Sequence, residues 1–195
     1  MRKKSEIAGT ERIGKILEFW FGEGSDPDYA KRWFAPNAVF DQACRNGFLA
    51  DYERAAAGEL DLWQDRASGA LALILLLDQF PRNMFRNSAR AFATDSRALA
   101  AAKAAIARGF DRALSAQERA FIYLPFEHSE NSADQDYSVQ LFRVLASEHP
   151  EMAEYIGYAE GHREIIRRFG RFPHRNRVLG RISTPEEMEF LNRST

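Results

Sequence analysis

The run LALILLLDQF, residues 71–80, constrains this chain more than any other stretch. Seven apolar residues in a row are far too few to cross a bilayer, which takes about 20. They lie within a span from Asp61 to Phe80 that is the most apolar in the sequence. A helix that is apolar on every side is buried, so the span predicts a central helix around which the others pack. Asp78 closes the run on a face shared with Leu71, Ile74 and Leu75. A carboxylate there must be paired or hydrogen-bonded. Arg82, just past Pro81, is the nearest cation, and Arg86 is next.

The rest of the chain also reads as helix. Val and Thr occur only four times each while Ala is abundant, which disfavours strands, and clean period-two alternation is absent. Residues 10–21 carry Ile13, Ile16, Leu17, Trp20 and Phe21 on one side. A short helix is expected around Tyr29, Trp33 and Phe34, and a longer one after Pro36 through Phe48. Thr94 is expected to cap a helix ending at Arg108-Gly109, and Ser115 with Glu118 has the spacing of a capping box for one ending at Pro125. Residues 133–148 and 150–169 predict two more, the second stopped at Gly170. Thr184-Pro185-Glu186-Glu187 reads as N-cap, proline at the first helical position and glutamate at the third.

No Gly/Ser linker or low-complexity tract divides the 195 residues. The expectation is therefore an all-α protein with a single compact domain over 1–195, built of stacked antiparallel helices in a tetratricopeptide-like style, with residues 1–9 disordered. No period of about 34 residues is visible. The net charge of −1 supplies no field to draw the whole molecule to nucleic acid or a membrane, so neither is expected as a partner. Cys44 is the single cysteine, which excludes an internal disulfide and a cysteine-rich metal site. The basic N-terminus has no apolar run behind it and does not read as a secretory signal. A cytoplasmic setting is expected.

Three polar features break the apolar pattern. His162 falls three residues after Ala159 and four before Ile166, on the stripe of the 150–169 helix, and must be tied to a carbonyl or carboxylate. In YLPFEHSE (123–130), Glu127, His128 and Glu130 follow Pro125 within five positions. Two carboxylates and an imidazole suit acid–base chemistry; no histidine stands four residues from His128, so no zincin helix is present and no metal is expected. In RRFGRFPHRNRVLGR (167–181), six arginines mix with two phenylalanines. Phe169 and Phe172 can anchor a chain reversal at Gly170, and Pro173 forces an extended entry to His174-Arg175-Asn176. The arginines meet either the protein's own carboxylates, with Asp78, Glu127 and Glu130 as candidates, or an anionic ligand that guanidinium forks grip well.

Together LDQFPRNMFR (77–86), AFATDSRAL (91–99), YLPFEHSE (123–130), His162, FGRFPHRN (169–176) and LGRISTPEE (179–187) resemble the bacterial domain-of-unknown-function family 924. ILEFWFGE (16–23) fits its N-terminal part, so the resemblance covers nearly the whole chain. It implies an all-α fold grouped with tetratricopeptide-like helical proteins and assigns no role to any residue.

The functional expectation is a polar pocket that binds a small anionic ligand. Arg82, Asn83, Arg171, Arg175 and Asn176 would hold it. His128 or His174 would move a proton, oriented by Glu127 or Glu130, with Asp78 and His162 in support. An acid–base or hydrolytic reaction without an organic cofactor would follow, since no Gly-rich nucleotide loop, GxSxG elbow or cysteine nucleophile is present. The alternative is a helical module that binds a peptide in a groove bearing Tyr29, Trp33 or Tyr158, its polar motifs forming an ion-pair network. Whether the chain is an enzyme, and its oligomeric state, stay open at this point.

Overall fold

The computed structural model describes residues 2–22, 33 and 37–193. Among them are eight α-helices and no strand. They are α1 (Arg2–Phe21), α2 (Ala38–Ala56), α3 (Ala67–Met84), α4 (Asp95–Ala107), α5 (Ala116–Glu127), α6 (Ser132–Glu148), α7 (Glu154–Phe169) and α8 (Pro185–Arg193), joined in part by single 3-10 turns. Helix α1 begins at Arg2, eight residues before the start expected near residue 10. Of the short helix expected near residue 30, only Trp33 is described. Its indole is buried and donates from Nε1 to the Trp20 carbonyl (2.8 Å). Tyr29 and Phe34 lie outside the described residues.

As its composition requires, α3 is the centre, and α1, α2, α4 and α5 all pack on it. Leu71 to Leu77 are buried without exception. The expected helix over 61–80 is shifted, however. Residues Asp61–Asp65 form a 3-10 turn, and Arg66 is extended before α3 begins. The turn comes so close that an ideal Cβ on Gly69 would stand 2.2 Å from the Trp63 carbonyl oxygen, which only glycine permits. Rings from three helices meet beside α3. Phe80 lies 5.0 Å from both Trp20 and Phe48 and 6.0 Å from Phe19, between centroids.

Pro81 does not end its helix, and neither does Pro125. A proline inside a helix removes the bond to the carbonyl four residues back, here that of Leu77. The Thr94 hydroxyl donates to that carbonyl instead, at 2.5 Å. Thr94 therefore stands at the N-cap position of α4 without capping it. The other signals hold: Ser115 and Glu118 form the capping box of α5, Gly170 closes α7 in the left-handed region (φ 69°), and Thr184 and Glu187 exchange bonds at the start of α8 (3.2 and 2.7 Å). Helices α6 and α7 pack on one another and on α5, and α8 returns to the turn at Pro173–Arg175.

Candidate functional site

The 3-10 turn Ala89–Phe92, the start of α4, the end of α5 and the Pro173–Arg175 turn with Leu179 after it converge on a cleft of about 360 Å³. Its polar lining is Asp95, Ser96, His128, Ser129, Glu130 and Arg175; Phe92, Leu99, Pro125 and Leu179 supply the apolar part.

Behind the cleft lies Asp78, fully buried on α3. Its Oδ1 is 2.8 Å from His128 Nδ1 and 3.2 Å from Arg82 Nη1, and its Oδ2 accepts from the Gln79 amide at 2.6 Å. Burial pushes the Asp78 carboxyl up, but Arg82, His128 and Gln79 outweigh it and hold the group well below the usual carboxylate range. An ionised carboxylate only accepts hydrogen bonds, so Nδ1 of His128 carries its proton and Nε2 keeps its lone pair. Nε2 has no partner among the described residues, and the ring lines the cleft. Burial and the charge of Arg82 pull the His128 pKa down, against the opposing pull of Asp78. The ring is therefore neutral near pH 7 and available as a base.

Arg82 reaches past Asp78 and forks Asp95 with two bonds of 3.0 Å. Arg175 Nη1 also donates to Asp95, at 3.2 Å. The Arg175 guanidinium is held between the rings of Phe92 (4.7 Å) and Phe172 (4.4 Å), a desolvated cation–π arrangement. Burial and the charge of Arg82 lower its pKa to about 10, so it stays charged.

A second imidazole–carboxylate pair adjoins the first. His162 Nδ1 lies 3.0 Å from Glu127 Oε1 and 2.9 Å from the Tyr158 carbonyl, and its ring is 6.4 Å from that of His128. This is the anchoring expected for a histidine on that stripe. Burial lowers the His162 pKa, but the bonds to Glu127 and Tyr158 outweigh it and the net shift is upward. A group whose folded pKa is raised stabilises the fold fully below its unfolded value of about 6.5 and loses that contribution as pH rises through the folded pKa. Urea unfolding of the wild type and of His162→Gln is expected to show the larger gap at pH 5.5 and a shrinking one by pH 8.5. A gap independent of pH would contradict this account.

Other residues expected in the site are engaged elsewhere. Arg171 forks Glu187 (2.6 and 2.8 Å) and Asn176 donates to Ser183 and Glu187 (3.0 and 3.2 Å), which ties α8 to the chain reversal. Asn83 donates to Asp41 on α2 (2.9 Å), beside Arg86. None of the three lines the cleft. His174 is exposed by area and also stands outside the lining; the atoms crowded behind its ring and the charge of Arg175 push it down to about 4. Glu127 holds His162 rather than His128. Glu130 does line the cleft, but its oxygens accept from Arg181 (2.7 and 3.0 Å) and the Phe172 amide (2.8 Å). Its role is to clamp the chain reversal.

The residue most conspicuously missed from sequence is Asp95, the bridge between Arg82 and Arg175. An aspartate after a threonine at a helix start reads as an ordinary favourable charge near the helix N-terminus, and nothing local marks it as a partner for an arginine 80 positions away. Among the described residues, no group of three or more His, Cys, Asp or Glu is arranged to hold a metal ion, and no helix is long and apolar enough to cross a membrane.

A family model described as "Bacterial protein of unknown function (DUF924)" matches residues 16–195. Among solved structures, the chain is similar to the protein of unknown function ATU0120 from Agrobacterium tumefaciens. The two are 44% identical, with a TM-score of 0.84, over 93% of this chain and 97% of that one. No curated protein matches.

Proposed function

The chain belongs to the DUF924 family of bacterial proteins of unknown function, and from that premise we propose that it is an acid–base enzyme acting on a small anionic ligand, with His128 as the proton acceptor. One observation carries the reading: an imidazole whose Nδ1 is fixed on buried Asp78 at 2.8 Å, whose Nε2 has no partner among the described residues, and whose ring lines the cleft. Asp78 sets the tautomer and stabilises the imidazolium that forms when Nε2 takes a proton from water or from the ligand. Arg82 and Gln79 keep Asp78 ionised, and Arg175 is the cation that faces the ligand.

The reading as a peptide-binding module has less behind it. Of the aromatic residues that such a groove would display, Tyr158 is exposed but Trp33 is buried.

A panel containing p-nitrophenyl acetate and p-nitrophenyl phosphate tests the proposal. The wild type is expected to hydrolyse at least one member, with kcat/KM rising with pH through a group below 6.5, the direction of the His128 shift. His128→Gln is expected to lose about 100-fold, the usual lower share of general-base catalysis. Undiminished turnover in that variant, or a wild type inert toward the whole panel, would count against it.

A further inference from the structure

The mouth of α4 opens into the cleft without a cap. Pro81 leaves the Leu77 carbonyl without its helical donor, and the Thr94 hydroxyl is spent on it. The first amides of a helix need acceptors from outside it. Among the described residues, neither the amide nor the hydroxyl of Ser96 has a hydrogen-bond partner, and Ser96 lines the cleft. Such an end favours negative charge.

Arg175 is an independent sign of a ligand. It is only 6% exposed and lines the same cleft. Only its Nη1 is engaged, on Asp95. Its Nε is buried without a partner, and its Nη2 has none among the described residues. The two rings that flank the guanidinium prevent it from swinging away to find one. Burying a guanidinium with donors unused is costly; Nε lies behind the surface, and an oxyanion at the cleft would engage Nη2.

The charge balance narrows the class. The carboxylates of Asp78, Asp95 and Glu130 are matched by Arg82, Arg175 and Arg181, and His128 is neutral. Asp95, in the first turn of α4, would repel a dianion, whereas one negative charge can sit against the uncommitted donors. Phe92, Leu99, Pro125 and Leu179 offer an apolar wall beside it, and the volume suits a molecule at the small end of those that proteins enclose.

We infer that the cleft takes a small organic carboxylic acid, whose carboxylate is held by Arg175 and by the Ser96 amide and hydroxyl while its short apolar body lies against Phe92, Leu99 and Leu179, toward His128. The inference rests on the cleft being the functional site, and not on the proton chemistry of His128.

Butyrate, butyramide and inorganic phosphate are the probes, titrated separately into 15N-labelled full-length protein and followed by NMR. Butyrate is expected to shift the Ser96 amide and the His128 ring nitrogens in one saturable process, with butyramide and phosphate at least tenfold weaker. Ser96→Ala, at an exposed position, is expected to weaken butyrate severalfold, and Arg175→Gln to abolish the saturable shift while the amide spectrum stays dispersed. Should Arg175→Gln unfold, the Ser96→Ala result and the butyramide comparison still decide. Phosphate or butyramide binding as tightly as butyrate, or butyrate shifts unchanged in Ser96→Ala, would overturn the inference. His128→Gln separates the two ideas: retained butyrate binding with lost turnover supports both. Absent butyrate binding in a wild type that turns over p-nitrophenyl acetate overturns the carboxylate subsite alone.

Discussion

Asp78→Ala is expected to destabilise the protein by about 3–5 kcal/mol, the range for breaking a buried ionic network by removing one partner. The Asp78 carboxylate is fully buried, accepts from His128 and Gln79, and is ion-paired with Arg82. Alanine leaves the His128 Nδ1–H and the Gln79 amide without an acceptor, each costing about 1–3 kcal/mol, and leaves Arg82 with Asp95 and the carbonyl of residue 78. The effect has a pH signature. The Asp78 pKa is lower in the fold than in the unfolded chain, so its contribution is complete above the unfolded value of about 3.9 and is lost as pH falls through the folded value. Urea unfolding at pH 7 and at pH 3 measures both parts, with the wild-type advantage full at the first and smaller at the second. A loss under about 1 kcal/mol at pH 7 would mean that the network is not what holds α3 to α5.

Phe80→Ala is expected to cost a similar amount, about 3–5 kcal/mol, as large-to-small changes at fully buried phenylalanines do. Phe80 has no exposed surface, and its ring neighbours come from two other helices: Phe19 and Trp20 from α1, Phe48 from α2. Those backbones are held by their own contacts with α3, so the space left by the ring can collapse only in part. In a chain of this size the loss corresponds to a fall in Tm of roughly 10 °C, which calorimetry can read. Phe80→Leu, which keeps most of the volume, is expected to lose well under half as much. Equal losses for the two would show that ring contacts, rather than filled volume, carry the stabilisation.

Residue by residue, the sequence was a good guide to elements and a poor one to partners. The capping box at Ser115, the stop at Gly170 and the cap at Thr184 stand where their side chains allow, because each depends on atoms within four residues. Thr94 has the same local credentials and does not cap. Its hydroxyl answers a vacancy 17 residues away, made by Pro81 on a neighbouring helix. Arg82 pairs with Asp78, as one helical turn dictates. For Arg171 and Arg175 the sequence left open Asp78, Glu127, Glu130 or an anionic ligand; the carboxylates they pair with are Glu187 and Asp95.

The sequence by itself determined that the chain is helical, where most helices stop, and that α3 is the buried centre, since periodicity, capping and propensity act over a single turn. Only the tertiary structure decided which carboxylate each arginine meets, which imidazole lines the cleft, and which of the polar segments meet there. With 27 basic and 28 acidic side chains on the chain, a guanidinium has many chemically equivalent partners, and only the packing of α4, α5 and the Pro173 turn around α3 selects among them.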